Sequence, residues 1–367
     1  MPGMQLISFA RGAPSLDIIN VDGLKAAAVR AFETDPAGIT AYGTSVGYLP
    51  LRTWIAEKHG VEADQVIVTN GSMQADALLF EQLVKPGDAV IVEKPTYDRT
   101  LLNLRNLGAE VHPVTLEADG IDVAELRALL ESGVRPVLAH IIPNFQNPAG
   151  VTLSAEKRTA LLALAQEFGF TIFEDDPYAE IRWRGEKLPS MLEQDTAGVV
   201  VHASSFTKTI APGLRVGYLV GPKATIGGIA KRATTIYISP SMVAEAIVHQ
   251  FCASGDVTRS IEKVSATLGE RARLLGESLR KHIPDATFVE PDGGYFLWVE
   301  LPEDIDTTEL EKVAAKDFGV AVVKGSDFLL DGGRHSVRLA FSAVLNDEVD
   351  EGVQRLAAAI EAVRKSA

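Results

Sequence analysis

The sequence predicts an α/β protein: a large domain on a mostly parallel seven-stranded sheet flanked by helices, joined to a smaller α+β domain. Three observations predict it. From residue 66, short β-branched runs alternate with helical ones, the pattern of strands joined by crossover helices. Beyond about residue 250 that rhythm stops, and a long helical stretch leads into further strand-like runs and a terminal helix. Finally, 367 residues exceed one ordinary core, so two packed units are expected. The boundaries are drawn as 1–35 for an N-terminal arm with part of the small domain, 36–250 for the large domain and 251–367 for the small one.

The large-domain strands are read in order as "VIVT" (66–69), "AVIVEKP" (89–95), "AEVHPVTL", "PVLAHIIP", "TIFEDD", "VVVHASSF" and "RVGYLVG", each bounded by Gly, Pro, Asn or Asp. A helix is predicted from Ser154, with Leu161, Leu162, Ala165 and Phe168 on one buried face at spacings of three and four. In the small domain the helical "VTRSIEKVSATLGERARLLGESLRKHI" precedes the strands "GGYFLWVELP", "VAVVKG" and "SVRLAFS". No repeat or low-complexity segment interrupts the chain, and the connections are short, so the two units are expected to share an interface.

Composition removes several classes of function. Hydrophobic residues make up 46% and charged residues 23%, and no apolar run approaches the ~18 residues that cross a bilayer. The 49 acidic side chains outnumber the 35 basic ones, a net charge of −14 that repels nucleic-acid backbones and anionic lipid surfaces. Neither nucleic acid nor membrane is expected as a partner. "MPGMQLISFARGAPS" lacks the features of an export signal and Cys252 has no partner for a disulfide, which together point to the cytoplasm. No metal-ligating pattern is read.

The unusual residues fall at strand ends, where open α/β sheets collect ligands. "VIVTNGSMQ" passes through Gly71 and Ser72 into a helix whose free N–H groups suit a phosphate, or which is merely capped. "FEDDPY" sets three acids before Tyr178; a buried carboxylate needs a partner, whereas a loop would leave them in solvent. "PNFQNPAG" offers Asn144 and Asn147 or simply a turn. Lys208, after "VVVHASSF", either snorkels to water or, desolvated beside other cations, becomes a nucleophile toward carbonyls. Ser205, Thr207 and Arg215 around it supply two hydroxyls and a planar fork of donors. An aldehyde that carries a phosphate would satisfy the whole set.

Taken together, these motifs resemble the pyridoxal-phosphate enzymes of the aspartate aminotransferase fold, most closely class I/II aminotransferases of the 2-aminoadipate type, over nearly the whole chain. The resemblance implies pyridoxal 5'-phosphate as cofactor and makes "SSFTKTIAPGLRVGY" the segment of the Schiff-base lysine, Lys208. It assigns the cofactor phosphate to Ser205, Thr207, Arg215 and the turn at Gly71, Ser72 and the Met73 amide. By the same match Asp175 partners the pyridine nitrogen, with Asp176 as rival, and Tyr178 and Asn147 bind the phenolic oxygen. Tyr97 in "EKPTYDRT" stacks on the ring. Tyr42 in "YGTSVGYLPLR" reaches the neighbouring subunit's phosphate, which implies a homodimer with shared sites. Arg338 in "VRLAFS" clamps the substrate α-carboxylate, and Gly12 in "FARGAPS" lies near the substrate. Arg11 departs from the familiar pattern and is either a second carboxylate reader or an exposed arginine. The region before residue 42 is short, so substrate assignments do not carry over.

The activity so implied is transfer of an amino group from an L-amino acid to a 2-oxo acid, commonly 2-oxoglutarate, by a ping-pong mechanism. Lys208 shuttles the proton, Asp175 keeps the ring nitrogen protonated, and Arg338 sets which bond at the α-carbon breaks. A β-lyase or amino-acid cyclase of the same fold would use the same residues. The effector domain of an aminotransferase-like transcription regulator is disfavoured by the acidic charge and by the start of the motifs almost at residue 1. A sheet protein without a cofactor is the remaining reading.

Overall fold

The computed structural model describes residues 5–366. Residues 1–4 and 367, at the ends of the first and last expected divisions, lie outside the described residues. Eight strands form the large sheet, in the spatial order Val66–Thr69, Gly217–Val220, Val200–Ser205, Thr171–Asp175, Pro136–Ile141, Ala89–Lys94, Glu110–Glu117 and Gly120–Ile121. The strands from Val200–Ser205 to Glu110–Glu117 pair in parallel, while Gly217–Val220 runs antiparallel to both neighbours. The expected seven become eight because the chain turns back at Ala118–Asp119 and adds a two-residue antiparallel strand. A strand that short has no alternation to detect, and Gly120, at φ +112, reads as a turn.

Alternation along the strands separates two buried faces. Val90, Val92, Leu138, Phe173, Val201 and Ala203 pack against one layer, which includes the Ser72–Leu83 and Lys223–Tyr237 helices. Ile91, Ala139, Ile141, Ile172 and Val200 face the opposite layer, which includes Ala155–Phe168. That helix starts where expected: Ser154 caps it by accepting from the Lys157 N–H at 3.3 Å, and Leu161, Leu162 and Ala165 are buried, with Phe168 half-buried. Phases along each strand therefore decide which cleft a terminal side chain can enter.

A second, four-stranded antiparallel sheet runs in the order Thr287–Phe288, Phe296–Glu300, Ser336–Ala340, Val323–Lys324. "VAVVKG" is split. Val320–Ala321 pairs in parallel with Ile7–Ser8, and only Val323–Lys324 joins the four-stranded sheet. Residues Ile7, Phe9 and Ile18 of the N-terminal segment enter the same hydrophobic cluster as Leu297, Leu339 and Leu356. The Asp256–His282 helix connects the two regions, with Val257 in the core around Val66 and Phe251 and Val264, Leu268, Leu275 and Leu279 in the cluster with Leu297.

Candidate active site

The carboxyl ends of the parallel strands open into two adjoining cavities that meet at Lys208. The inner one, about 150 Å³, is lined by Ser72, Met73, Tyr97, Asn147, Asp175, Tyr178, Ser205, Thr207 and Arg215 among others. The outer one, about 210 Å³, adds Gly12, Phe296 and Arg338. Most of the residues expected to form the site are thus brought together from distant parts of the sequence. Gly71, Arg11 and Tyr42 are outside both linings; Gly71 is buried beside Arg215, Arg11 is exposed, and Tyr42 is 89% exposed.

At the inner end the chain builds an anion cradle largely from backbone. Gly71, at φ +83, precedes the Ser72–Leu83 helix, so the unpaired N–H groups of its first turn and the positive end of its dipole face the cavity. A Cβ on Gly71 would lie 2.2 Å from Arg215 Nη2 and push that guanidinium aside, and φ +83 with ψ 163 is itself backbone that favours glycine. Arg215 itself adopts left-handed φ +55 and donates to the Asn70 carbonyl at 3.2 Å, which holds its guanidinium over the turn. The Thr207 N–H donates to Ser205 Oγ at 3.1 Å, and the two hydroxyls are 2.8 Å apart. Gly217, which no motif singled out, is as demanding: a Cβ there would lie 2.5 Å from the Ser72 nitrogen. A glycine inside a strand was its available signal.

The floor of the inner cavity is acidic. Asp175 ends the Thr171–Asp175 strand on the Phe173 face; its Oδ2 is 3.5 Å from His140 Nε2, and its Oδ1 has no hydrogen-bond partner. Asp176, one residue on, takes the other side, where it accepts from Asn144 Nδ2 at 2.8 Å and from the Ala179 N–H at 3.1 Å. Asn144 therefore belongs to that far face, its Oδ1 held by Arg158 Nη2 at 3.0 Å. Asn147 belongs to the cleft. Its loop is fixed by Gln146, whose Nε2 donates to Glu93 Oε2 at 3.0 Å and to the Pro95 carbonyl at 2.8 Å.

Lys208 sits between the two cavities. Burial, then the positive fields of Arg338 and Arg215, bring its amine down to about 8, against the opposing pull of Asp175. Its Nζ donates to the Gly12 carbonyl and lies 4.9 Å from the centre of the Tyr295 ring, whose hydroxyl donates to the Lys208 carbonyl at 2.8 Å. Tyr295 was missed because its "GGYF" run reads only as strand. Tyr178 is buried, 5.8 Å from the Tyr295 ring, and burial pushes its hydroxyl well above the usual phenol range. Burial does the same to Tyr97.

The outer cavity receives its cation from the other sheet. Arg338, on the Ser336–Ala340 strand, is 8% exposed; it donates to Asn147 Oδ1 at 3.1 Å and to the Ala10 carbonyl at 2.8 Å. Its guanidinium lies over the Phe296 and Phe328 rings at 4.4 and 4.8 Å. Gly12 leaves room for Phe296, whose ring would be 2.5 Å from a Cβ there.

The donor set fits pyridoxal phosphate: hydroxyls and N–H groups at a helix start, a buried carboxyl with a free oxygen, an amine brought down to about 8 and a buried guanidinium line adjoining cavities. Residues 5–356 match the family model of class I and II aminotransferases. The chain belongs to that family, and its activity is pyridoxal-phosphate-dependent transamination. Aromatic-amino-acid aminotransferase 1 of Thermococcus litoralis is 31% identical over 97% of this chain and 88% of its own length. The 2-aminoadipate transaminase of Thermus thermophilus is 30% identical over 97% of this chain and 90% of its own. The crystal structure of the Thermus thermophilus α-aminoadipate aminotransferase with N-(5'-phosphopyridoxyl)-L-leucine superposes at a TM-score of 0.93 and 28% identity, covering 99% of this chain and 94% of that one. Among the described residues, no helix is long and apolar enough to cross a membrane.

Proposed function

We propose that the enzyme moves an amino group from an L-amino acid to a 2-oxo acid, with 2-oxoglutarate as the expected acceptor and Lys208 as the residue joined to the cofactor. The single observation that carries this reading is the place of Lys208: a half-buried residue whose amine, brought down to about 8, stands at the junction of the anion cradle with the Arg338 cavity. Bound pyridoxal phosphate supplies an aldehyde that condenses with amines and a ring that withdraws electrons from the substrate α-carbon. The chain supplies the rest. Gly71, Ser72, the Met73 amide, Ser205, Thr207 and Arg215 hold the phosphate, while Asp175 faces the ring nitrogen and keeps it charged. Tyr97 covers the ring, and Tyr178 and Asn147 face its phenolic oxygen. Arg338 orients the substrate carboxylate, so that the free Lys208 amine can carry the proton to and from the α-carbon.

Tyr42, exposed on its loop, supports a homodimer in which it reaches the partner's phosphate. The divisions at 36 and 251, and a cytoplasmic setting for the single buried Cys252, complete the proposal. The named relatives make aromatic and aminoadipate donors the first to test, with branched-chain donors beside them, in a panel against 2-oxoglutarate. Borohydride reduction of the enzyme loaded with pyridoxal phosphate is expected to fix the cofactor covalently to the peptide containing Lys208 and to leave Lys208→Ala unlabelled and inactive. A labelled or active Lys208→Ala variant would overturn the assignment.

A further inference from the structure

One buried carboxyl in the inner cavity has no role in the reading above. Asp76 lies one turn into the Ser72–Leu83 helix, four residues after Ser72 and so on the face that carries the anion cradle. It is 3% exposed and lines the same cavity as Asp175 and Lys208. The phase of the Thr171–Asp175 strand explains the encounter. Asp175 shares the face of Phe173, the face this helix covers, and His140 shares that of Leu138 on the next strand. Asp76 and Asp175 each keep an Oδ1 without a hydrogen-bond partner.

Two carboxylates in one buried pocket cannot both hold a charge cheaply. Their surroundings are unequal. Asp175 has His140 Nε2 at 3.5 Å and acts on Lys208 as an opposing charge. Among the described residues, no lysine, arginine or histidine forms an ion pair with Asp76. Burial and the neighbouring Asp175 push the Asp76 carboxyl well above the usual carboxylate range. A neutral carboxyl is a donor as well as an acceptor, and the free Oδ1 of Asp175 is an acceptor in the same cavity.

We propose that Asp76 and Asp175 form an acid pair with one negative charge, in which Asp76 keeps the proton and donates it as a hydrogen bond to Asp175. Asp76 is then a positioning residue. It holds the Asp175 carboxylate toward the ring nitrogen and moderates the charge that the ring meets, a use of a neutral buried acid that requires a dry pocket. The role in the reaction rests on the assignment of Asp175 to the ring nitrogen; the protonation of Asp76 does not.

Infrared difference spectra of wild type against Asp76→Asn at pH 7, before and after saturation with pyridoxal phosphate, test the pair directly. The expected result is a carboxylic-acid C=O band, shifted by D2O, in wild type and absent from the variant in both states. In steady-state kinetics Asp76→Asn, which still offers an N–H, is expected within about threefold of wild type. Asp76→Leu is expected to lose about 10- to 100-fold in kcat with little change in KM, the size of one hydrogen bond to a charged group. No acid band assignable to Asp76, or a Leu variant with wild-type kcat, overturns the proposal. Failure of borohydride labelling at Lys208 would instead sink the cofactor assignment while leaving the acid band in place.

Discussion

The two faces of the large sheet end in acids that were treated very differently by the fold. On the Ile172 face, Glu174 accepts from the Met191 and Leu192 N–H groups at 2.7 and 3.2 Å and pairs with His202 Nδ1 at 2.9 Å. Burial is the largest single influence and alone would raise Glu174 and lower His202. Yet their mutual bond and charges, together with the Met191 and Leu192 N–H groups on Glu174 and the Asp176 charge near His202, sum to a lowered Glu174 and a raised His202. On the Phe173 face, Asp175 is left with a free oxygen beside Asp76, whose oxygen is also free. Adjacent residues of one strand thus divide into a closed polar network and an open one. Other buried polar atoms without partners are scattered, such as Glu245 Oε1 and Ser265 Oγ, but Asp76 and Asp175 put two carboxyl oxygens into one cavity, where a ligand can complete them.

The strongest break between the faces is expected at Asp175→Asn. If Asp175 faces the ring nitrogen as proposed, removing its charge should lower kcat by about 10²- to 10⁴-fold, the range of a well-placed acid–base or electrostatic group. The stability of the protein without cofactor should change by about 1 kcal/mol or less, because the amide oxygen can still accept the hydrogen bond proposed from Asp76. A rate close to wild type, measured under saturating substrates, would put the functional carboxyl elsewhere.

The opposite pattern is expected on the other face. His202→Leu strands Glu174 in the core, and breaking a buried pair of this kind costs about 3 kcal/mol. Its pH dependence follows from the two shifts. The raised His202 contributes stability that is fully present below its unfolded value of about 6.5 and fades as pH rises through its folded value. The depressed Glu174 contributes above its unfolded value of about 4.3 and fades as pH falls through its folded one. Wild type and variant should therefore differ most between about pH 4.5 and 6.5 in denaturant titrations. A constant difference across pH 4 to 9 would mean that only packing was lost.

How much of this was legible beforehand depended on what a motif can carry. The strand runs were readable because β-branched residues and Gly or Pro boundaries are local features, and Lys208, Arg215 and Asp175 stood out because each lies at or just beyond an end of such a run. The side a residue faces could be read only where a strand's phase was known. "FEDDPY" gave three acids in a row but not their division between two faces, which comes from pairing with Pro136–Ile141 and Val200–Ser205. Asp76 and His140 were silent for the same reason: one sits inside a helical run and the other inside an apolar strand. The two-residue strand at Gly120 and the break at Val322 fell below the length at which periodicity exists.

Asp176 supplies the mildest and most discriminating comparison, because it adjoins Asp175 in sequence but belongs to the closed network. Burial pushes it up to about 6, with Glu174 adding to the rise and His202, Arg158 and the Asn144 bond opposing it. An acid whose folded value exceeds its unfolded value of about 3.9 favours the fold most when protonated, so its contribution is full below that pH and falls as pH rises toward 6. Asp176→Asn removes this slope. The amide keeps an acceptor for the Ala179 N–H, but it brings an NH2 against Asn144, which cannot flip without losing its bond from Arg158. The two effects oppose one another, leaving a stability change of about 1 kcal/mol at pH 7 and a kcat within about threefold of wild type. Thermal melts from pH 4 to 7 should show the variant gaining on wild type as pH rises. A rate loss of the size expected for Asp175→Asn would instead move the ring-facing charge to Asp176 and erase the distinction between the faces.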